Sequence, residues 1–402
     1  MNKLLQHLFL GILTAFLFSG FIYFEYYHLT NKFLNTLFGL GALALLLYIP
    51  KRSILIAGFF IGILWFYWIG YSFQYQGVYG IAWYVTFGFG VIYILFFAPL
   101  AFTNEPIIRA VLLFILSFIA PFAFNWLKIE LLFVNSYIGI EKYQLFIILL
   151  SLSVVHYIKD TKYKYLPLIL LLLTLNINPK PQPLAPLRIK LVQTHIKQED
   201  KWRPNYLDTT LQIIFSHIHN AINEGYDVVV LPESVFPLYM NQNPTILQAL
   251  QALSHQITIV AGSLITKHHK HYNVTYMFEN GKYHIAKKVV LVPFGEYIPL
   301  PSPLKEYINQ KFFAGASDFI KAKQPTDFII KGIKFRNAIC YEATTQELYE
   351  GDVKYMIAIS NNGWFVPSIE PTLQKLLLKF YAHKNHVTIY HSANMAGTGV
   401  IF

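Results

Sequence analysis

The chain has 402 residues, of which 55% are hydrophobic, 17% aromatic and 13% charged, with a formal net charge of +11. Soluble domains carry about a quarter charged residues, so the composition excludes a purely soluble protein and points to membrane segments. The single cysteine, Cys340, excludes an intramolecular disulfide and any multi-cysteine metal site. The basic residues are dispersed rather than blocked, which suits anionic lipid headgroups and argues against a nucleic-acid partner.

Charge is distributed unevenly. Residues 1–177 hold 10 Lys/Arg and 5 Asp/Glu, against 22 and 16 in residues 178–402. The first part contains seven apolar segments, at 5–24, 33–49, 53–73, 81–102, 107–126, 144–158 and 165–177. Most are near the roughly 20 residues that a spanning helix needs; the last two are short, and Lys162 and Lys164 can snorkel to lengthen the seventh. The first lacks a small-residue cleavage site and reads as a span rather than a signal peptide. With the N-terminus inside, the inner loops hold Lys3, Lys51, Arg52, Arg109, Lys159, Lys162 and Lys164, and the outer loops Lys32, Lys128 and Lys142. That bias fits the positive-inside rule. An odd number of spans then puts everything after residue 177 outside the cytoplasm. The cores of the segments read as free of charge.

Residues 178–186, Asn-Pro-Lys-Pro-Gln-Pro-Leu-Ala-Pro, form a Pro-rich linker. From 187 the pattern alternates between strand and helix. Strands are predicted at 187–194, 228–231, 257–265 (ending near Gly262), 328–339 and 355–360, and helices at 207–223 and 246–254. Segments 272–279 and 283–290, joined by Asn280-Gly281, predict a hairpin. This order implies an α/β layered domain over 187–402.

Four stretches put a polar or reactive residue at the end of an apolar strand. They are Val228-Val-Val-Leu-Pro-Glu233, Lys287-Lys288-Val-Val-Leu-Val-Pro-Phe-Gly-Glu296, Asn337-Ala-Ile-Cys340-Tyr341-Glu342 and Ile357-Ala-Ile-Ser-Asn-Asn-Gly363-Trp364-Phe365. Each alone has a bland reading: an exposed turn carboxylate, an edge strand guarded by lysines, a small buried hydrophobe, a loop. A sharp turn at Cys340 would expose its sulfur and aim the Tyr341 amide at a developing oxyanion.

Together and in this order the stretches resemble the nitrilase (carbon–nitrogen hydrolase) superfamily, and within it the apolipoprotein N-acyltransferases. The most specific match is Leu-Val-Pro-Phe-Gly-Glu-Tyr-Ile-Pro at 291–299. Val192-Gln-Thr-His-Ile-Lys-Gln-Glu-Asp-Lys-Trp202 and Trp65-Phe-Tyr-Trp-Ile-Gly-Tyr-Ser add to it. The resemblance implies seven transmembrane helices followed by an αββα sandwich on the periplasmic side of a bacterial inner membrane. It assigns Glu233 as general base, Lys288 as the cationic group and Cys340 as nucleophile, with Glu296, Tyr341, Glu342 and Trp364 in supporting roles. It implies transfer of a fatty acyl chain from a phospholipid to the N-terminal amine of a diacylglyceryl-cysteine apolipoprotein, through a thioester, by a monomer needing no cofactor and no metal. Membrane attachment suits such a donor, because pulling an acyl chain into water costs roughly 0.8 kcal/mol per CH₂.

The alternative is a membrane-tethered carbon–nitrogen hydrolase using the same triad and releasing the acyl group to water. A third reading, a transporter or assembly protein with an inert domain, would call for charges inside the spans. The family pattern also has a further transmembrane helix after the α/β domain. Here the sequence ends in Ala393-Asn-Met-Ala-Gly-Thr-Gly-Val-Ile-Phe402, in what reads as one of the last strands, so either a short variant or a missing C-terminal part is expected. Residues 124–137 also depart from the family's usual loop. His217 and His219, two residues apart, fall on different faces of a helix, and His268-His-Lys-His271 reads as a solvated loop, so neither group reads as metal-binding.

Overall fold

The computed structural model describes residues 2–76, 80–176, 182–293, 295–298, 303 and 319–402. The chain divides into two compact units, Met1–Lys180 and Pro181–Phe402.

The first unit is helical: α1 (Lys3–Tyr26), α2 (Lys32–Tyr48), α3 (Lys51–Phe66), α4 (Ala82–Phe97), α5 (Pro106–Leu116) and α6 (Lys142–Val154). Local chemistry sets the helix starts. The Asn2 side chain caps α1 through the Leu4 amide, and Asn31 caps α2 through the amides of Phe33 and Leu34. Pro106 opens α5, where a missing N–H costs nothing. Among the described residues, four helical stretches are long and apolar enough to cross a membrane: Lys3–Tyr26, Lys51–Tyr75, Ala82–Phe102 and Pro106–Ala123. α2 and α6 are shorter apolar helices, and the seventh apolar segment is a tight 3-10 stretch at Leu166–Thr174. Helices α3 and α4 approach closely at Gly62, where an added Cβ would meet the Phe89 carbonyl oxygen at 2.4 Å.

The sequence places Arg109 among the loop cations, but the structure corrects this. Arg109 lies in the first turn of α5 and is 1% exposed. Its guanidinium donates to the carbonyls of Leu47 and Ile49 at the end of α2 and to those of Leu100 and Thr103. Helix-end carbonyls lack internal partners, and five donors on one side chain satisfy several of them at once. The apolar segments are therefore not free of charge; the one inside them is held by carbonyls.

The second unit is an αββα sandwich. One sheet has the order β1-β2-β3-β4-β5 and the other β10-β9-β8-β7-β6. The strands are β1 (Ile189–Leu191), β2 (Val228–Val230), β3 (Thr258–Lys267), β4 (Lys270–Glu279), β5 (Lys282–Lys287), β6 (Asp327–Ile330), β7 (Ile333–Ile339), β8 (Tyr355–Asn361), β9 (Thr388–Asn394) and β10 (Gly399–Ile401). Among the described residues, the helices of this unit are α7 (Gln198–Lys201), α8 (Leu207–Asn223), α9 (Pro244–Leu253) and α10 (Glu370–Asn385). Strand alternation builds the layers. Val228 and Val230 face Phe335, Ile339, Ile357 and Ile359 of the other sheet, whereas Val229 and Leu231 face Ile214 and Ile218 of α8.

Several boundaries differ from the sequence reading. β3 continues through Gly262 to Lys267, because β4 pairs with it along its whole length. The predicted strand 328–339 is a hairpin, β6 and β7, turning at Lys331-Gly332 with φ +47° and +81°. β5 stops at Lys287, so the apolar residues after Lys288 lie outside the ladder. The Asn280-Gly281 turn is as expected, with both φ positive. The second half of the Pro-rich stretch belongs to this unit: Ala185 is buried, its amide donates to the Tyr390 hydroxyl, and Thr388 donates to the Pro183 carbonyl. Residues 178–181 of that stretch lie outside the described residues, as do Phe294 and Pro299 of the 291–299 motif.

Candidate active site

In the sandwich the parallel strands β2, β7 and β8 end on the same side, where open α/β sheets place their ligands. Just beyond β2, Ser234 adopts φ +45° and turns the chain back beneath Gly262. A Cβ on Gly262 would lie 2.4 Å from the Ser234 nitrogen and 2.6 Å from Glu233 Cα, so only glycine fits there. This turn leaves Glu233 buried, with its carboxylate fully engaged. Oε1 accepts from Asn273 Nδ2 at 2.8 Å, and Oε2 accepts from the Asn361 amide at 2.9 Å.

Lys288 follows β5 and is 1% exposed. Its Nζ lies 2.9 Å from Glu296 Oε1 and 2.8 Å from Oε2. Burial alone would lower the ammonium's pKa, but the charges of Glu296 and then Glu233 outweigh it and hold the pKa above the usual lysine value. Glu296 is fixed in turn by the Val292 amide and by the same Asn273 nitrogen.

Cys340 is the residue after β7 and opens a 3-10 turn, Cys340–Thr344. It is half-buried and adopts φ +55°, a conformation uncommon for a non-glycine residue, which bends the chain sharply at the sulfur. Gln374 Nε2 points at Sγ from 3.8 Å. Burial, and then the Glu233 charge, push the thiol well above its ordinary pKa, with Lys288 pulling the other way. The surroundings therefore favour the thiol over the thiolate.

Glu342, two residues on, is 1% exposed and fastens two segments together. Its Oε2 accepts the amides of Val289 and Val290, and its Oε1 accepts that of Ile339. The residues after Lys288 and before Cys340 are thus tied to one carboxyl. Burial pushes that carboxyl up to about 7, although Lys288 and the three amides pull it down. Tyr341 is buried, and its carbonyl accepts from Thr344. Trp364 is half-buried and closes the 3-10 turn Asn362–Trp364 after β8.

The structure thus gathers Glu233, Lys288, Glu296, Cys340 and Glu342, and sets Trp364 three residues beyond the Asn361 amide that binds Glu233. Sequence reasoning missed Asn273, which joins Glu233 to Glu296, Gln374, which points at Cys340, and Lys201, whose Nζ donates to the Glu233 carbonyl. No local signal marks Asn273, because β4 also carries a buried Thr275 and the partners of Asn273 are distant in sequence. His391 is buried between Ser360 Oγ at 2.8 Å and the Gly397 carbonyl at 2.9 Å. Among the described residues no group of three or more His, Cys, Asp or Glu is arranged to hold a metal.

Comparison with known proteins agrees with this architecture. The family model for the apolipoprotein N-acyltransferase integral membrane domain matches residues 5–177, and that for carbon-nitrogen hydrolase matches residues 188–399. Apolipoprotein N-acyltransferase of Wolinella succinogenes is 40% identical over 98% of this chain and 95% of its own length. That of Helicobacter hepaticus is 36% identical over 92% and 94%. Among solved structures, XC1258 from Xanthomonas campestris, a CN-hydrolase superfamily protein, is 14% identical, covering 52% of this chain and 76% of its own, with a TM-score of 0.40. The similarity runs through both units, and the chain belongs to the apolipoprotein N-acyltransferase family, a multi-pass membrane protein with a carbon–nitrogen-hydrolase α/β unit.

Proposed function

We propose that this protein transfers a fatty acyl chain from a phospholipid to the N-terminal amine of a diacylglyceryl-cysteine apolipoprotein, through a thioester on Cys340. The observation that carries this reading is the extent of the similarity. Relatives named for N-acyl transfer match 92% and 98% of the chain, membrane unit included. A membrane-tethered hydrolase would need only the triad, and nothing in the similarity favours it.

In this mechanism the Cys340 thiol, held neutral by its surroundings, loses its proton to Glu233 as sulfur attacks the ester carbonyl. Lys288, kept charged by Glu296, stabilises the tetrahedral oxyanion together with the Tyr341 amide. The ester C–O bond breaks, and the proton on Glu233 passes to the departing lysophospholipid oxygen. The acceptor amine then attacks the thioester, giving a proton to Glu233; the C–S bond breaks, and Glu233 returns that proton to the sulfur. Glu342 holds the segments that carry Lys288 and Cys340, and Trp364 shapes the site wall. The loop charges favour a catalytic unit on the periplasmic side of the inner membrane. The acyl-enzyme provides the test. The full chain, incubated with a phospholipid of known acyl composition, is expected to gain one acyl mass on the Cys340 peptide. A diacylglyceryl-cysteine peptide should discharge that mass as an amide. Discharge to free fatty acid alone, or acyl mass elsewhere with C340A unaffected, would overturn the proposal.

A further inference from the structure

Lys201 is a second buried lysine at this site, and the mechanism above leaves it unused. It closes the short helix α7, and the next residue, Trp202, is 45% exposed. Lys201 itself is 2% exposed. Its Nζ donates to the backbone carbonyl of Glu233 at 3.1 Å. Burying an ammonium is costly unless it is paired and hydrogen-bonded, and a lysine stem laid into the interior to reach the Glu233 carbonyl, with the Asn361 side chain 3.2 Å from its Nζ, is not explained by packing alone. The same segment is pinned to the end of β8, because the side-chain amides of Gln198 and Asn361 meet at 2.9 Å. Asn361 is the residue whose amide binds Glu233 Oε2. Helix α7 therefore touches Glu233 by two routes: its main-chain carbonyl through Lys201, and its carboxylate through Gln198 and Asn361.

We infer that Lys201 is a positioning residue for acyl-enzyme formation: from helix α7 it fixes the Glu233 turn, so that the carboxylate stays aimed at the Cys340 thiol. This rests on the acyl-transfer reading of the site. The turn it holds is strained, with Ser234 at positive φ and Glu233 Cα pressed against Gly262, and a strained turn keeps its shape only while its surroundings fix it. The titratable groups facing the ammonium are Glu233 from the end of β2 and Cys340 from the end of β7; both raise its pKa, but burial wins and lowers it to about 8. A neutral amine still donates to the carbonyl, yet no longer offsets the Glu233 charge. The alkaline limb of acylation therefore carries a contribution from Lys201.

The experiment measures the rate of Cys340 acylation by a fluorescent-acyl phospholipid across pH 6–10, in the detergent-solubilised full chain. It compares wild type, K201M, K201R and C340A. K201M is expected to lower the rate at pH 7 by roughly tenfold to a hundredfold, the cost of a displaced catalytic group, with little change in half-saturating phospholipid. K201R, which stays charged at every pH tested, is expected to recover much of the rate and to lose the limb near pH 8. Thermal unfolding of each variant separates misfolding from misplacement: a folded K201M with a wild-type rate, or a K201R profile that keeps the limb, overturns the assignment of Lys201. Undiminished acylation of C340A would instead overturn the acyl-transfer reading on which it rests.

Discussion

The Lys288 ammonium is gripped by both oxygens of Glu296, at 2.9 and 2.8 Å. Removing one partner of a buried pair leaves an uncompensated charge, which typically costs 3–5 kcal/mol. E296Q is therefore expected to lower the melting temperature and to slow Cys340 acylation by about 10²–10³-fold, the usual loss when an oxyanion donor fails. The sign of the pH effect follows from the raised pKa of Lys288. The stabilisation is complete below the unfolded lysine value of about 10.4 and fades only above it. Wild type should exceed E296Q in stability by a constant margin from pH 6 to 9. A margin that closes within that range would show that Lys288 is not held charged by Glu296.

How legible this site was in the sequence depended on the range of the interactions. The helix Leu207–Asn223 and the strand Val228–Val230 announced themselves through apolar period and length. Cys340 and Glu233 stood at the ends of apolar runs, but their chemistry was ambiguous until the family resemblance joined them. Asn273 was not legible, because its meaning lies in Glu233, 40 residues away, and the Asn361 contact spans 128. Strand pairing brought these residues together, and pairing is non-local. The hairpin at Lys331-Gly332 was read as a continuous strand because its flanks are equally apolar. Arg109 was read as a loop cation because composition cannot show that four carbonyls await it.

The raised pKa of Cys340 separates this site from a thiolate–cation pair. Alkylating agents react with the thiolate, so iodoacetamide should label Cys340 slowly at pH 7 and progressively faster through pH 9, with no plateau between pH 6 and 8. Glu233 is the leading charge that raises the thiol's pKa, and Lys288 opposes it. E233Q should therefore label faster at pH 8–9 while losing acylation by phospholipid, and K288M should label more slowly. A labelling plateau near neutrality in the wild type would show a resting thiolate and remove the need for Glu233 as a base.

Gly262 tests how far the Glu233 turn must be held. An alanine Cβ there would meet backbone atoms at 2.4 and 2.6 Å, none of which belongs to a flexible side chain. G262A must push the Glu233 turn away from β3, at a cost of about 1–3 kcal/mol for overpacking, and misplace the carboxylate. The expected result is a folded protein with acylation reduced at least tenfold, and a modest fall in melting temperature. Wild-type acylation in G262A would show that the turn tolerates displacement and that its close packing is incidental.

Glu342 makes the site sensitive to pH through structure rather than chemistry. Its carboxyl, raised by burial to about 7, binds its proton more tightly in the folded than in the unfolded chain. The associated stability is complete below the unfolded value near 4.5 and is lost as pH rises through about 7, an effect of roughly 3 kcal/mol at about 1.4 kcal/mol per pKa unit. E342Q stays neutral throughout and lacks this dependence, but its amide cannot accept at both ends, so either the Ile339 amide or those of Val289 and Val290 lose their partner. An unsatisfied buried amide costs about 1–3 kcal/mol. E342Q should therefore be less stable than wild type at pH 5, with the gap shrinking by pH 8 as the wild-type carboxyl ionises. Thermal unfolding at pH 5, 6.5 and 8 measures that gap, and a gap that widens with pH would mean that the three amides hold Glu342 ionised throughout.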